Sequence, residues 1–375
     1  MISILDEIYT LRKSDPIIDY KNTSRYRLVT QEKNGSKTAY YFSCPIYNID
    51  SRKLIDLCFE KDGEAIYLKG SNANITVLEN IRMGNSDGFC IFDVNERPGF
   101  VSENELSYSG NRIFPTTNGI AIKAAVNGEE PLNYTIEVGE PFLEIRANDK
   151  YFSLMKETFR PFVTVSCIGS ADADDNIIAP AQIVYQRIAD RKYQLSISAT
   201  NPFCRYVFFE VNLYENKLFQ DTTVESMNPS VNNAFGGTGF IGNTSKYGEQ
   251  WLYSRPDYTK MSDIEYKLIN KAILHMPKFN KNSVDLSAVY VKARFCSFGS
   301  NWNNKIDDGN LISDSYKNGR YQSIDLTPLL VDKRTFSLRK SDGLIMRSKI
   351  KGSGFSTVST GDSCYAPQIL EVNYS

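Results

Sequence analysis

One histidine and two tryptophans stand in a chain of 375 residues. With a lone imidazole, His275, a zinc site that needs two His ligands cannot be built. The seven cysteines (Cys44, Cys58, Cys90, Cys167, Cys204, Cys296 and Cys364) form no Cys-x-x-Cys pair, which excludes a zinc ribbon and a thioredoxin-type motif. Their odd number and irregular spacing argue against a disulfide framework, so buried free thiols in a reducing compartment are expected. Net charge is also missing: 43 basic against 44 acidic residues leave -1, so neither nucleic acid nor an anionic membrane has an electrostatic claim on the chain. No apolar run approaches the ~20 residues of a membrane-spanning helix. The opening Met1 to Ser14 has no base before Arg12 and no uninterrupted apolar core; the expectation is synthesis in the cytoplasm without a signal peptide.

Catalytic signatures are equally scarce. There is no G-x-S-x-G elbow, P-loop or H-E-x-x-H string. Gly237-Thr-Gly-Phe-Ile-Gly242 matches G-x-G-x-x-G, but its polar flanks lack the strand before and helix after that a dinucleotide site requires, and a glycine-rich loop is expected. Asp172, Asp174 and Asn176 open like a calcium loop, yet Ile177 and Ile183 stand where the turn glycine and the bidentate glutamate belong. A turn with solvated carboxylates is expected there, with weak adventitious calcium binding as the outside alternative, and neither a resident metal nor a cofactor is expected. A glycosidase needs only two acids at a set separation, so its chemistry stays open among 44 acids.

What the chain does have is aromatic and β-branched residues: 23 Tyr and 21 Phe, with aromatics at 12%. Alternating or β-rich runs predict strands at 26–30, 38–47, 54–59, 65–68, 89–94, 119–126, 134–138, 142–146, 162–168, 183–188, 194–198 and 206–213. Asn34-Gly35, Asp62-Gly63, Asp87-Gly88, Asn118-Gly119 and Asn127-Gly128 punctuate them as turns. His275, just before Met276 and Pro277, is expected in a strand as a partly buried, hydrogen-bonded residue. The fold class is all-β: tandem β-sandwich or jelly-roll domains with a short N-terminal helix. The expected division is a helical arm at 1–20, a β-rich region of one or two sub-domains at 21–214, and a last sandwich at 215–375.

The helix is read from Ile4, Leu5, Ile8 and Leu11 at three-and-four spacing, with Ser3 and Asp6 as an approximate capping box and Pro16 as the stop. So short a helix is marginal alone, so its stripe must be buried either on its own domain or on a neighbouring chain as an attachment arm.

From about Phe219 to Tyr374 a succession of weak motifs carries a resemblance. Asp221-Thr-Thr-Val224 is followed by Asn228-Pro-Ser230, the glycine-rich string, Trp251-Leu-Tyr-Ser254, and Asn270 to Phe279. Ser287 to Arg294, Ser300-Asn-Trp302, Ile324 to Leu330, Asp342 to Met346 and Ala366 to Tyr374 complete the order. This stretch resembles the DNRLRE-type β-sandwich domain, related in form to carbohydrate-binding jelly rolls and found in bacterial surface proteins and phage structural proteins. The name-giving hexapeptide is missing, and Asn270-Lys271 stands where an Arg is usual. The resemblance implies a sandwich fold and a surface or particle setting.

Within that region Trp251, Tyr253 and Tyr258 are the candidates for an exposed aromatic platform holding a sugar ring, and Trp302 either stacks on a sugar or plugs one end of the core; for both tryptophans the structural role is the favoured reading. Three functions are weighed. The first is a non-catalytic virion protein of a phage or phage-tail-like particle: capsid decoration, head fibre or tail-associated. It would sit on the particle surface, contact other particle proteins and its own copies, and reach surface glycans. The second is a bacterial cell-surface glycan-binding protein, the third a glycan hydrolase. The first is the expectation, with Ile4, Leu5, Ile8 and Leu11 as its assembly residues.

Overall fold

The structure is a computed structural model that describes residues 4–48, 51–84, 89–128, 130–139, 145–147, 163–213, 219–234, 236–256, 261, 264, 267–281, 284–291, 300–306, 309–329, 343–349, 352 and 354–375. Strands dominate it, arranged among the described residues as four large sheets and a two-stranded ribbon, with one α-helix, Ile4–Arg12. The period-two pattern does what the sequence asks: Ala65–Lys69 buries Ile66 and Leu68 and turns Tyr67 and Lys69 outward.

Two sandwiches result. In the first, a sheet ordered Ala181–Ala189, Lys192–Ala199, Leu132–Val138, Phe89–Asp93, Ile81–Gly84, Asn74–Val77, Ala65–Lys69 and Cys58–Asp62 covers a second sheet. That second sheet runs Gly99–Ser102, Glu105–Tyr108, Asn111–Thr116, Gly119–Ala125, Tyr206–Leu213, Val163–Ala171 and Ile145–Ala147. Phe59, Phe92, Tyr134, Leu195 and Phe209 fill the space between them.

The other sandwich draws on both ends of the sequence. One of its sheets runs Ile17–Ile18, Arg27–Gln31, Lys37–Phe42, Ile369–Tyr374, Ile269–Pro277, Tyr321–Asp325 and Tyr316–Asn318. Its partner runs Asn310–Asp314, Leu286–Val291, Gly343–Ser348, Gly248–Pro256, Thr238–Thr244 and Gly354–Ser359, with Phe219–Glu225 beside Gly248–Pro256. Tyr41, Leu252, Leu274, Met346 and Leu370 meet in its core. The expected cuts at 20 and 214 are therefore corrected at the first: residues 17–42 complete the last sandwich, and the first sandwich is inserted between them. Strand periodicity is local and cannot show that Lys37–Phe42 pairs with Ile369–Tyr374.

A second correction concerns the glycine string. Residues Thr238–Thr244 form a strand paired with Gly248–Pro256 and Gly354–Ser359, not a loop. Glycine is required at Gly242, where φ is 134° and a Cβ would run into the Gly354 carbonyl oxygen, and a Cβ on Gly239 would force the Leu252 side chain aside.

The sandwiches are joined along Val163–Ala171, buried at all nine positions. Both faces of its sheet are covered, one by the first core, the other by Phe240 with Phe279, Phe355 and Tyr365, which pack on Ile168, Ile177 and Phe208. Glu210 is sealed in this junction. Its carboxylate accepts bonds from Asn212 Nδ2 (2.7 Å), Ser363 Oγ (2.6 Å), and the amides of Cys364 (2.8 Å) and Tyr365 (3.2 Å).

Candidate functional site

Ile4–Arg12 is helical for reasons visible in its sequence: Asp6 and Glu7 sit in the first turn and Arg12 in the last, complementing the helix dipole. It ends where Lys13 takes a φ of 57°. Ile4 and Ile8 are buried against Leu28, Tyr40, Phe42, Ile46, Tyr321 and Ile369, on the outer face of the sheet that joins the chain's two ends, and Leu11 packs at the margin. Each fully buried isoleucine contributes about 1.5–3 kcal/mol, which the short helix itself could not supply. Of the two readings of the stripe, the structure has the one in which it packs on its own domain. Leu5 is the exception, 40% exposed.

Polar contacts fix the same helix. Arg12 donates from Nη1 and Nη2 to Glu32 Oε1 (2.5 Å) and Oε2 (3.0 Å), and to Thr30 Oγ1 (2.8 Å). Burial pushes the Glu32 carboxyl up, but the bonds from Arg12 and Thr38 outweigh it and hold the group below its ordinary range. Buried Glu7 pairs with Arg320. Outward, Leu5, Tyr9, Ile17 and Tyr20 are all exposed, and Leu5 and Tyr20 share a groove of about 600 Å³ with Lys53, Leu54 and Ile55.

Trp251 and Tyr253 form no exposed platform. Trp251 and Tyr253 are buried, at 6% and 3% exposure, and Tyr258 lies outside the described residues. Leu252 points into the sandwich core, so its neighbours Trp251 and Tyr253 point out of the opposite face, where residues 300–306 cover them. Trp302, half-buried at the start of a short 3-10 turn capped by Asn301, lies 5.2 Å from Trp251, ring centre to ring centre. Tyr253 donates its hydroxyl to the Ile306 carbonyl, and Trp251 Nε1 donates to Glu249 Oε1 at 2.9 Å. Lys305 Nζ sits 4.5 Å from the centre of the Trp302 ring, and Arg347 Cζ 5.7 Å from that of Trp251. Trp302 is thus a lid on the outer face and Trp251 its seat.

A constellation that the sequence hid lies on the helix-bearing face. His275, Ser323 and Glu371 come from three adjacent strands, with Nδ1 2.8 Å from Ser323 Oγ and Nε2 3.0 Å from Glu371 Oε2. Burial raises Glu371, but His275 and then Lys271 hold its carboxyl below the usual range. The residues are those of a hydrolytic triad, and the accessibility is not: His275 is 1% exposed and Ser323 is fully buried, leaving no approach for a substrate to the hydroxyl. What the three do is bond three strands together across the sheet. No local spacing could have shown this, since Ser323 and Glu371 are 48 and 96 residues from His275.

The calcium-like string is a turn, but a committed one. Asp172 Oδ1 accepts from the amides of Asp174 and Asn176, both at 2.9 Å, and these bonds hold its carboxyl below the usual range against the effect of burial. Asp175 pairs with Lys123, and Asn176 Oδ1 accepts from the Lys281 amide at 3.1 Å, tying the turn to the other sandwich. The described cysteines are free thiols, and burial pushes Cys167 up to about 12; Cys296 lies outside the described residues. Compared with known proteins, the chain matches no family model and no curated protein.

Proposed function

We propose that this chain is a non-catalytic structural subunit of a bacteriophage or phage-tail-like particle, as a capsid decoration, head-fibre or tail-associated protein. The resemblance of residues 219–374 to the DNRLRE-type domain supports this reading. So does the build: two sandwiches share a buried polar junction, and the Ser323–His275–Glu371 array is closed to substrate. The observation that carries it is the apolar surface around the N-terminal helix. Leu5, Tyr9, Ile17 and Tyr20 stand exposed there while Ile4 and Ile8 anchor the helix from below, an arrangement suited to contact with a neighbouring subunit.

The test separates attachment from folding. Leu5→Asp combined with Tyr9→Asp alters exposed positions, so the melting temperature should stay within about 2 °C of the parent. Incorporation into particles from the producing culture, followed by immunogold negative-stain microscopy, should be lost. Unlabelled particles with the parent chain, or undiminished labelling with the variant, would overturn the proposal.

A further inference from the structure

We propose that the cleft between the two sandwiches binds a neutral oligosaccharide. It encloses about 440 Å³, within the range of small-ligand sites, and lies at a domain junction, where such sites concentrate. Ile178 to Pro180 and Thr200 to Pro202 of the inserted sandwich form one wall, and Phe240, Asn243 to Tyr247 and Phe355 form the other.

The walls are stapled at a fixed separation. Tyr247 donates its hydroxyl to Thr200 Oγ1 at 2.9 Å, Lys246 Nζ reaches the Thr200 carbonyl at 2.6 Å, and Thr200 Oγ1 donates to the Pro180 carbonyl at 2.5 Å. A ligand therefore does not bear the cost of ordering the site. Phe240 and Phe355 lie 6.2 Å apart and 30° from coplanar, with Phe355 only half-buried, so aromatic surface reaches the cavity. At the rim Asn243 and Ser245 are exposed, and their side chains make no hydrogen bond among the described residues. Phe203, which follows the lining residue Pro202, is 79% exposed.

The chemistry of the lining selects the ligand. Among these residues only Lys246 is charged, and its ammonium already donates to the Thr200 carbonyl and lies 5.8 Å from the centre of the Tyr247 ring, so the lining offers an anion one partly engaged cation and no cluster. A peptide adding itself as a strand would need an open strand edge. The edge at Gly354–Ser359 is closed by the Phe279 amide on the Thr357 carbonyl (2.9 Å) and by Asn280 Oδ1 on the Thr357 amide (3.1 Å). A pyranose ring matches what remains: its C–H face lies on a phenyl ring, and its hydroxyls, each donor and acceptor at once, meet an amide and a hydroxyl that are likewise both.

The proposal does not depend on the particle reading, since the cleft is built by the fold wherever the protein resides. The test titrates maltohexaose, cellohexaose, laminarihexaose and chitohexaose into the full chain by isothermal titration calorimetry, with a heparin-derived hexasaccharide as the anionic control. At least one neutral sugar should bind saturably. Phe355→Ala should weaken it at least tenfold and Asn243→Ala three- to tenfold, without loss of the parent's circular-dichroism spectrum. Should Phe355→Ala misfold, the exposed pair Asn243→Ala and Ser245→Ala decides alone. Failure of all four sugars at millimolar concentration, binding that survives these substitutions, or salt-sensitive binding of the heparin fragment alone would each overturn the assignment.

Discussion

Glu32 shows how much of the helix's attachment rests on one carboxylate. Its folded pKa lies below the ordinary value of 4.5 because Arg12 and Thr38 bond the ionised form. A depressed carboxyl contributes stability that is fully present above its unfolded value and is lost as pH falls through the folded one. Melting temperature should therefore drop on acidification below about pH 4.5, and Glu32→Gln should start lower at pH 7 and fall less steeply with acid. Identical acid slopes for parent and variant, measured by calorimetry from pH 7 to 3, would remove Glu32 from this role. The sequence showed the apolar stripe that this pair reinforces, because three-and-four spacing is local. It could not show the pair itself, whose members are 20 residues apart and meet only once the helix lies on the sheet.

The segment 300–306 is a small element with a large share of the aromatic packing. Its capped turn presents Trp302 to Trp251, and Tyr253 bonds its far end. Trp302→Ala should cost about 1–3 kcal/mol in lost aromatic contact and area, and should let water reach the Trp251 indole. A red shift of the remaining tryptophan emission checks this, while Trp302→Phe should retain most of the stability and an unshifted spectrum. Trp251-Leu-Tyr-Ser254 was legible as one of an ordered series of motifs; its strand and the covering of its outer face were not. A strand shows which residues share a face, whereas the covering of that face depends on a segment some fifty positions later. Short strands such as Asn74–Val77, Ile81–Gly84 and Glu105–Tyr108 also escaped the reading, being four residues each with little room for alternation.

Across the whole molecule, Glu210 couples the two sandwiches. Removing its carboxylate in Glu210→Ala strands a hydroxyl, two amides and an asparagine, at a cost of about 3 kcal/mol. The parent should melt in one transition and the variant in two, as the bodies uncouple; a single unshifted transition in scanning calorimetry would place the coupling elsewhere. The two sandwiches were legible in the sequence, but the exchange of strands between the chain's distant parts was not. That exchange also sets a timetable for the nascent chain. The edge of Lys37–Phe42 leaves the ribosome early, yet Asn373, which bonds Ser36, lies 337 positions behind it. At about 5–20 residues per second, the strand waits on the order of tens of seconds for its neighbour. Throughout that wait a Tyr-Tyr-Phe edge rich in β-propensity is open to any other strand it meets. Yield in the producing cell is thus a contest between translation speed and misassociation, and slower synthesis favours the wrong partner.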